Sequence, residues 1–407
     1  MSAAARATNV FLATGVVRRA TIGGFWSLLF LRFVTDLDFE PIELVLLGTV
    51  FELTILAAEI PTGVVADVYS RKWSVIVSYL MIGPAVVVAA FAEPFWALAL
   101  VHVAMGVGAT FESGAETAWI TDELGSSAAA EPLLLRRAQW QLVAGVVGLL
   151  GFGTLGALTT LSTALAGVGL VATSWGIALM VLMPETGFTR SEHEGWAAFV
   201  ETLRAGARTC RRVPALWLLV VGVAIGGFAK EVIDRLDIQR LVDVGLPDDI
   251  DEVLLIAIIA ALRSAAGIVV LMVVRRRVVG PGVVRGLSTI IALTALGVAL
   301  LAQVDVLALA AFGLVLHGGT WAASEPVVAA WANTFANNRE RATVHSFVGQ
   351  AEAFGEIGGG IVLGVVAQAA GVPTAMSISA ALFATSALTY FRAGRHWPAP
   401  GAASTAD

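Results

Sequence analysis

Glu59-Ile-Pro-Thr-Gly63-Val-Val-Ala-Asp67-Val-Tyr-Ser-Arg71-Lys72 closes one apolar stretch of the chain and opens the next. A carboxylate and two cations thus stand between segments that each approach the roughly 20 apolar residues a helix needs to cross a bilayer. The same punctuation returns half a chain later, where Gly63, Arg71 and Lys72 fall on Gly267, Arg275 and Arg276 at a shift of 204 residues. At that one shift Arg137, Ala138, Gly145, Gly151 and Gly156 also fall on Arg341, Ala342, Gly349, Gly355 and Gly360. Coincidences at a single shift, all at equivalent points of the apolar pattern, mark a parallel internal duplication.

Composition agrees with a membrane setting. Of 407 residues 57% are hydrophobic and 14% charged, against about 25% charged in soluble domains, and mean hydropathy is +0.84. Segments long enough to span lie near 11–34, 44–66, 73–91, 95–121, 138–158, 161–183, 214–236, 252–274, 286–304, 306–333, 343–368 and 373–391. The fold class expected is an all-α membrane protein of twelve transmembrane helices in two pseudo-symmetric six-helix halves, 1–184 and 214–407. The polar linker 185–213 should hold an amphipathic helix around Trp196 to Arg208. Met1 to Thr8 runs directly into the first span, with no small-residue cleavage site, so that span reads as uncleaved.

Arginines concentrate in the even-numbered connectors and both termini, among them Arg6, Arg71, Arg136, Arg137, Arg190, Arg275, Arg339, Arg341 and Arg392. The odd-numbered connectors carry Asp36, Asp38, Glu93, Asp243 and Asp248. The positive-inside bias places both termini in the cytoplasm and the protein in the cytoplasmic membrane. The net charge of -6 is modest and says nothing about nucleic acid, but no basic patch with interleaved aromatics points to it. Cys210 is the only cysteine, which excludes an intrachain disulfide and a thiolate-rich metal site. No nucleophile elbow, Walker loop or metal-ligand spacing occurs, so an enzyme, an ATP-driven pump and a cofactor are not indicated.

Charges inside spans are costly and face a bundle interior or wet cavity. Spans three, six, nine and twelve have none; spans one, two, four, seven, eight, ten and eleven carry Arg18, Arg19, Arg32, Glu52, Glu59, Glu112, Glu116, Lys230, Glu231, Asp234, Arg235, Arg263, Glu325, Glu352 and Glu356. At ~1.5 Å per residue Arg18, Arg19, Glu59 and Glu112 lie about 11–13 Å deep and Glu116 roughly 8 Å. Arg19 is expected to pair with Glu112 or Glu116, either to hold helices together or to handle cargo. Arg263, Glu325 and Glu352 form a midplane group. Glu325, followed by Pro326, is the first choice for a proton-coupling carboxylate, with Glu231, Asp234 and Glu112 next. Arg32 and Arg235 read as snorkelling side chains. Trp26, Phe51, Trp321 and Trp331 line an apolar pocket or simply pack. Glycine rows in spans five and eleven suit close helix crossings.

The Gly63–Lys72 stretch resembles the major facilitator signature Gly-x-x-x-Asp-x-x-x-Arg-Arg/Lys, with Ser70 in place of its second glycine. Gly114-Ala-Glu116-Thr-Ala-Trp119-Ile-Thr-Asp122-Glu123 and Arg341-Ala-Thr-Val-His-Ser-Phe-Val-Gly349-Gln resemble segments of a bacterial drug-exporter-like branch. His102 stands where proton-driven members carry an arginine before Gly106 and Gly108, and span five lacks the Gly-Pro pair of drug antiporters. The resemblance implies a monomeric secondary transporter that exports a small amphipathic organic compound by proton antiport. The alternatives are a proton symporter for a small polar metabolite and a transporter-like sensor. It implies a cytoplasmic gate of Gly63, Asp67, Arg71, Lys72 and Arg341. The cavity and coupling set is Arg19, Trp26, Glu52, His102, Glu112, Glu116, Glu231, Asp234, Arg263, Trp321, Glu325 and Glu352.

Overall fold

The computed structural model describes residues 3–190, 196–274, 282–334 and 341–396. Among them the chain forms fourteen α-helices and no strand: α1 (Ala3–Thr35), α2 (Pro41–Val68), α3 (Arg71–Phe91), α4 (Phe95–Glu112), α5 (Ala115–Leu124), α6 (Ser127–Leu158), α7 (Leu161–Leu182), α8 (Trp196–Arg212), α9 (Pro214–Val244), α10 (Glu252–Val274), α11 (Gly282–Gln303), α12 (Leu307–Ala332), α13 (Arg341–Ala370) and α14 (Val372–Ala393). Taking α4 and α5 together, eleven of these elements are long and apolar enough to cross a bilayer. The twelfth expected span is α1, whose 33 residues extend about 50 Å but whose hydropathy is lowered by Arg18, Arg19 and Arg32.

The helices overrun the apolar segments. Ser126 caps α6 by accepting a hydrogen bond from the Ala129 amide at 3.2 Å, so this helix begins eleven residues before the apolar stretch that starts at 138. α8 is the amphipathic helix expected in the linker. It buries Cys210, sets Gly206 against Phe347, and presents the Arg208–Glu201 pair (3.0 Å) to solvent.

Two compact units emerge, Met1–Ala197 with Gly245–Ser264, and Ala198–Val244 with Ala265–Asp407. The start of α10 therefore groups with the first unit, because Gly153 and Gly156 of α6 admit Ala257 and Val253. Each unit repeats the same packing. In the first, α1 crosses α6 and α3 packs on α7; in the second, α9 crosses α13 and α11 packs on α14. Any side chain at Gly148 would overlap the carbonyl of Ala20, and one at Gly355 would overlap that of Ala224. Ala20 and Ala224 are repeat mates, whereas Gly355 lies three residues beyond the mate of Gly148. The duplication is kept with a slip of about one helical turn.

Each unit also caps a helix with a buried arginine. Arg32 donates to the Ala89 and Ala92 carbonyls at the end of α3 (3.2 and 2.9 Å). Arg240 donates to the Leu301 carbonyl at the end of α11 (3.0 Å) and pairs with Asp305 (2.7 Å). A cation at a helix C-terminus gains from the unsatisfied carbonyls and the dipole. Arg32 is thus 4% exposed and does not snorkel. Neither does Arg235, which is buried against Glu231 one turn away at 2.8 Å.

Candidate functional site

The fourth expected span is not one helix. α4 ends at Glu112, Gly114 takes φ +74°, and α5 starts at Ala115. A left-handed residue costs a side-chain-bearing amino acid about 1 kcal/mol or more, which glycine escapes. Broken helices at membrane depth are tolerated where they line a cavity. A cavity of about 360 Å³ lies here, lined by Arg18, Ile55, Glu59, Ala109, Thr110, Glu112, Ser113, Gly114, Glu116, Thr117 and Arg137.

Two carboxylates flank the break, Glu112 at 4% and Glu116 at 3% exposure. Arg18 meets Glu112 at 2.8 Å. Arg137 donates to Glu116 at 2.5 Å, and its guanidinium also stacks over Phe11 at 4.4 Å from the ring centroid. Among the described residues, the second oxygen of Glu116 and Nε of Arg137 have no hydrogen-bond partner. Glu59 is exposed on α2 at the cavity.

The expected partner of these carboxylates was Arg19, and the structure corrects that. One residue along a helix turns a side chain by about 100°, so Arg18 points at Glu112 while Arg19 lies against Gly145 of α6, exposed. Arg137 was counted as a loop arginine that sets topology. It lies inside α6, 7% exposed, because that helix starts so early.

Around the start of α3 a polar network ties down the signature stretch. Arg71 pairs with Asp67 (3.3 Å) and with Asp122 and donates to the Ala118 carbonyl (3.3 Å). The Lys72 amide and the Ser70 hydroxyl both donate to Glu185 (2.9 and 2.7 Å), and Glu123 accepts from the amides of Thr186 and Gly187. Ser70 caps α3 through the Trp73 amide, which suits it to the place of the signature's second glycine. Gly63 has open space around it. The Arg341 side chain lies outside the described ones, as do Arg275 and Arg276.

His102 is fully buried with Nδ1 2.8 Å from the Leu98 carbonyl, between Trp26 and Phe33 at 6.1 and 6.2 Å. Trp26 also meets Phe51 edge-on at 5.3 Å. Glu52 is half-buried on α2. In the second unit Lys230 pairs with Glu356 (2.7 Å) and Asp234 (3.3 Å). Gly227 meets the backbone of Glu352, and Trp321 meets Phe383 edge-on at 5.5 Å. Glu325 is exposed on α12, and Arg263 is half-buried in the part of α10 that joins the first unit. The expectation missed Lys230 and Glu356 as a pair, though both were visible as intramembrane charges.

The family model of the Major Facilitator Superfamily matches residues 11–355. The chain belongs to the major facilitator superfamily. No curated protein sequence matches the chain. Solved structures share the major facilitator fold at low identity. One is the nucleoside transporter NupG (D323A mutant), at 14% identity and TM-score 0.75, covering 96% of this chain and 100% of that one. Another is a bacterial homologue of the human lysosomal transporter Spinster, at 15% and 0.71, covering 97% of each. A third is the POT family transporter PepTSo, at 12% and 0.72, covering 96% and 98%. As a major facilitator protein the chain is a multi-pass membrane transporter and not an enzyme.

Proposed function

We propose that this transporter is proton-coupled and exports a small amphipathic organic compound by alternating access, with Glu112 and Glu116 as its proton-binding pair. One observation carries the reading: two nearly fully buried carboxylates, each held by its own arginine, flank a helix break that opens onto a polar cavity. Arg18, Arg137, Glu112 and Glu116 balance in charge, and Glu59 adds one negative charge at the same cavity. A cationic or zwitterionic cargo would therefore compete with protons for the same carboxylates, and competition for one acidic pair gives exchange.

Glu325, the first choice from sequence, yields to this pair because it is exposed and no ion pair joins it among the described residues. The proposed setting is the cytoplasmic membrane, with both termini in the cytoplasm and the chain acting as a monomer. The Asp67–Arg71–Asp122 network, with Gly63 and Lys72, is proposed as the cytoplasmic gate. Symport of a small polar metabolite is the second reading, supported by Thr110, Ser113 and Thr117 on the cavity wall.

The test uses purified protein in proteoliposomes with an imposed pH gradient, screened against cationic dyes, antibiotics and polar metabolites. Antiport predicts that an organic cation moves against proton flow and collapses the gradient as it does so. Movement along with protons would support symport instead. If no compound responds to a gradient of either sign, proton coupling is wrong.

A further inference from the structure

The outer pair of helices in the second unit carries a site of another kind. A cavity of about 350 Å³ lies where α11 begins and α14 ends, lined by Gly282, Val284, Arg285, Phe391, Gly394 and Arg395. Arg285 lies in the first described turn of α11. Arg395 follows the last turn of α14, with its guanidinium 5.7 Å from the Phe391 ring centroid. Both arginines are exposed. The sequence offers them no nearby acid: no Asp or Glu occurs between Glu252 and Asp305 or between Glu356 and Asp407, while Arg392 adds to the basic balance.

Beyond this cationic end the same helix pair is apolar and uncovered, with Leu388 59% and Phe391 49% exposed on α14. A cationic pocket at the end of an apolar, membrane-spanning face complements a molecule with an anionic head and hydrocarbon tails. Two arginine forks suit phosphate oxygens. We propose that this groove binds the phosphate headgroup of an anionic phospholipid, with the acyl chains lying along Leu388 and Phe391. The site lies in one unit and has no residue in common with the charge cluster around Glu112 and Glu116. It depends on membrane embedding, not on the direction or coupling of transport.

Native mass spectrometry of the full chain tests this, with phosphatidylglycerol, cardiolipin, phosphatidylcholine or inorganic phosphate added to delipidated protein. Wild type should retain phosphatidylglycerol and cardiolipin and shed phosphatidylcholine. Each basic residue near a membrane surface contributes about fivefold to anionic-lipid binding, so R285Q/R395Q should bind these lipids roughly thirtyfold more weakly. Arg208→Gln, exposed on α8, should bind as wild type does. If the double variant fails to fold, the single variants R285Q and R395Q serve, each expected about fivefold weaker. Undiminished retention by the folded variants overturns the proposal. So does inorganic phosphate that displaces phosphatidylglycerol at matched concentration, since that would mark a site for the free anion.

Discussion

Replacing Arg137 with Gln removes one side of the most enclosed ion pair at the site. Arg137 and Glu116 are 7% and 3% exposed and meet at 2.5 Å. At an effective dielectric near 20 and a charge separation of roughly 4 Å, their attraction is about 4 kcal/mol. Deleting one partner of a buried pair costs about 3–5 kcal/mol, because the other charge stays buried and uncompensated. Loss of the stack on Phe11 adds about 1 kcal/mol. The R137Q variant should therefore melt about 10 °C below wild type in detergent. In R137Q/E116Q no charge is stranded, and at least half of that loss should return. Arg136→Gln is the control: the neighbouring residue is exposed, and its change should stay within about 0.5 kcal/mol. A double variant as unstable as the two single losses combined would refute the pairing.

Arg71→Gln breaks its contacts with Asp67, Asp122 and Ala118 together; it should slow turnover severalfold while protein still inserts, and Asp122→Asn should reproduce the defect, as read by initial transport rates. Cys210 is buried on α8 and its thiol is pushed up to about 11 by desolvation. Maleimide labelling of the folded protein should thus be slow at pH 7, where the thiolate is scarce, and quicken as pH rises toward that value; rapid labelling at pH 7 would contradict the burial. Gly148→Val drives a side chain into the Ala20 backbone of α1, and overpacking of this kind costs about 1–3 kcal/mol or more, visible as lost expression or a lowered melting temperature.

The architecture was legible because its signals are long-range and redundant. Bilayer-length apolar runs, arginine placement and the 204-residue repeat all constrain the same helices, and even α8 could be read from its amphipathic pattern. The charge cluster was half legible. Glu112 and Glu116 stood out as intramembrane carboxylates, yet their partners were misjudged for two local reasons. Whether Arg18 or Arg19 faces α4 depends on helix rotation, which adjacent arginines do not reveal. Arg137 looked like a loop residue because hydropathy reports where lipid begins, not where a helix does, and the polar start of α6 hid three extra turns. The break at Ser113–Gly114 did leave a trace, since a Ser-Gly pair inside an apolar span is a breaker signal. Arg32 was misread because capping depends on where the end of α3 falls in space, which spacing along the chain does not encode. Glu185 was missed for the same reason: its partners Ser70 and Lys72 are more than a hundred residues away.

Glu116→Gln in proteoliposomes tests most directly whether protons and cargo share the Glu112–Glu116 pair. The variant cannot exchange a proton at this position but keeps a hydrogen-bonding side chain of the same size. Substrate counterflow, which needs no proton gradient, should persist in Glu116→Gln, while accumulation driven by an imposed pH gradient should fall to the level of empty liposomes. Full gradient-driven accumulation by Glu116→Gln, and equally by Glu112→Gln, would contradict the account.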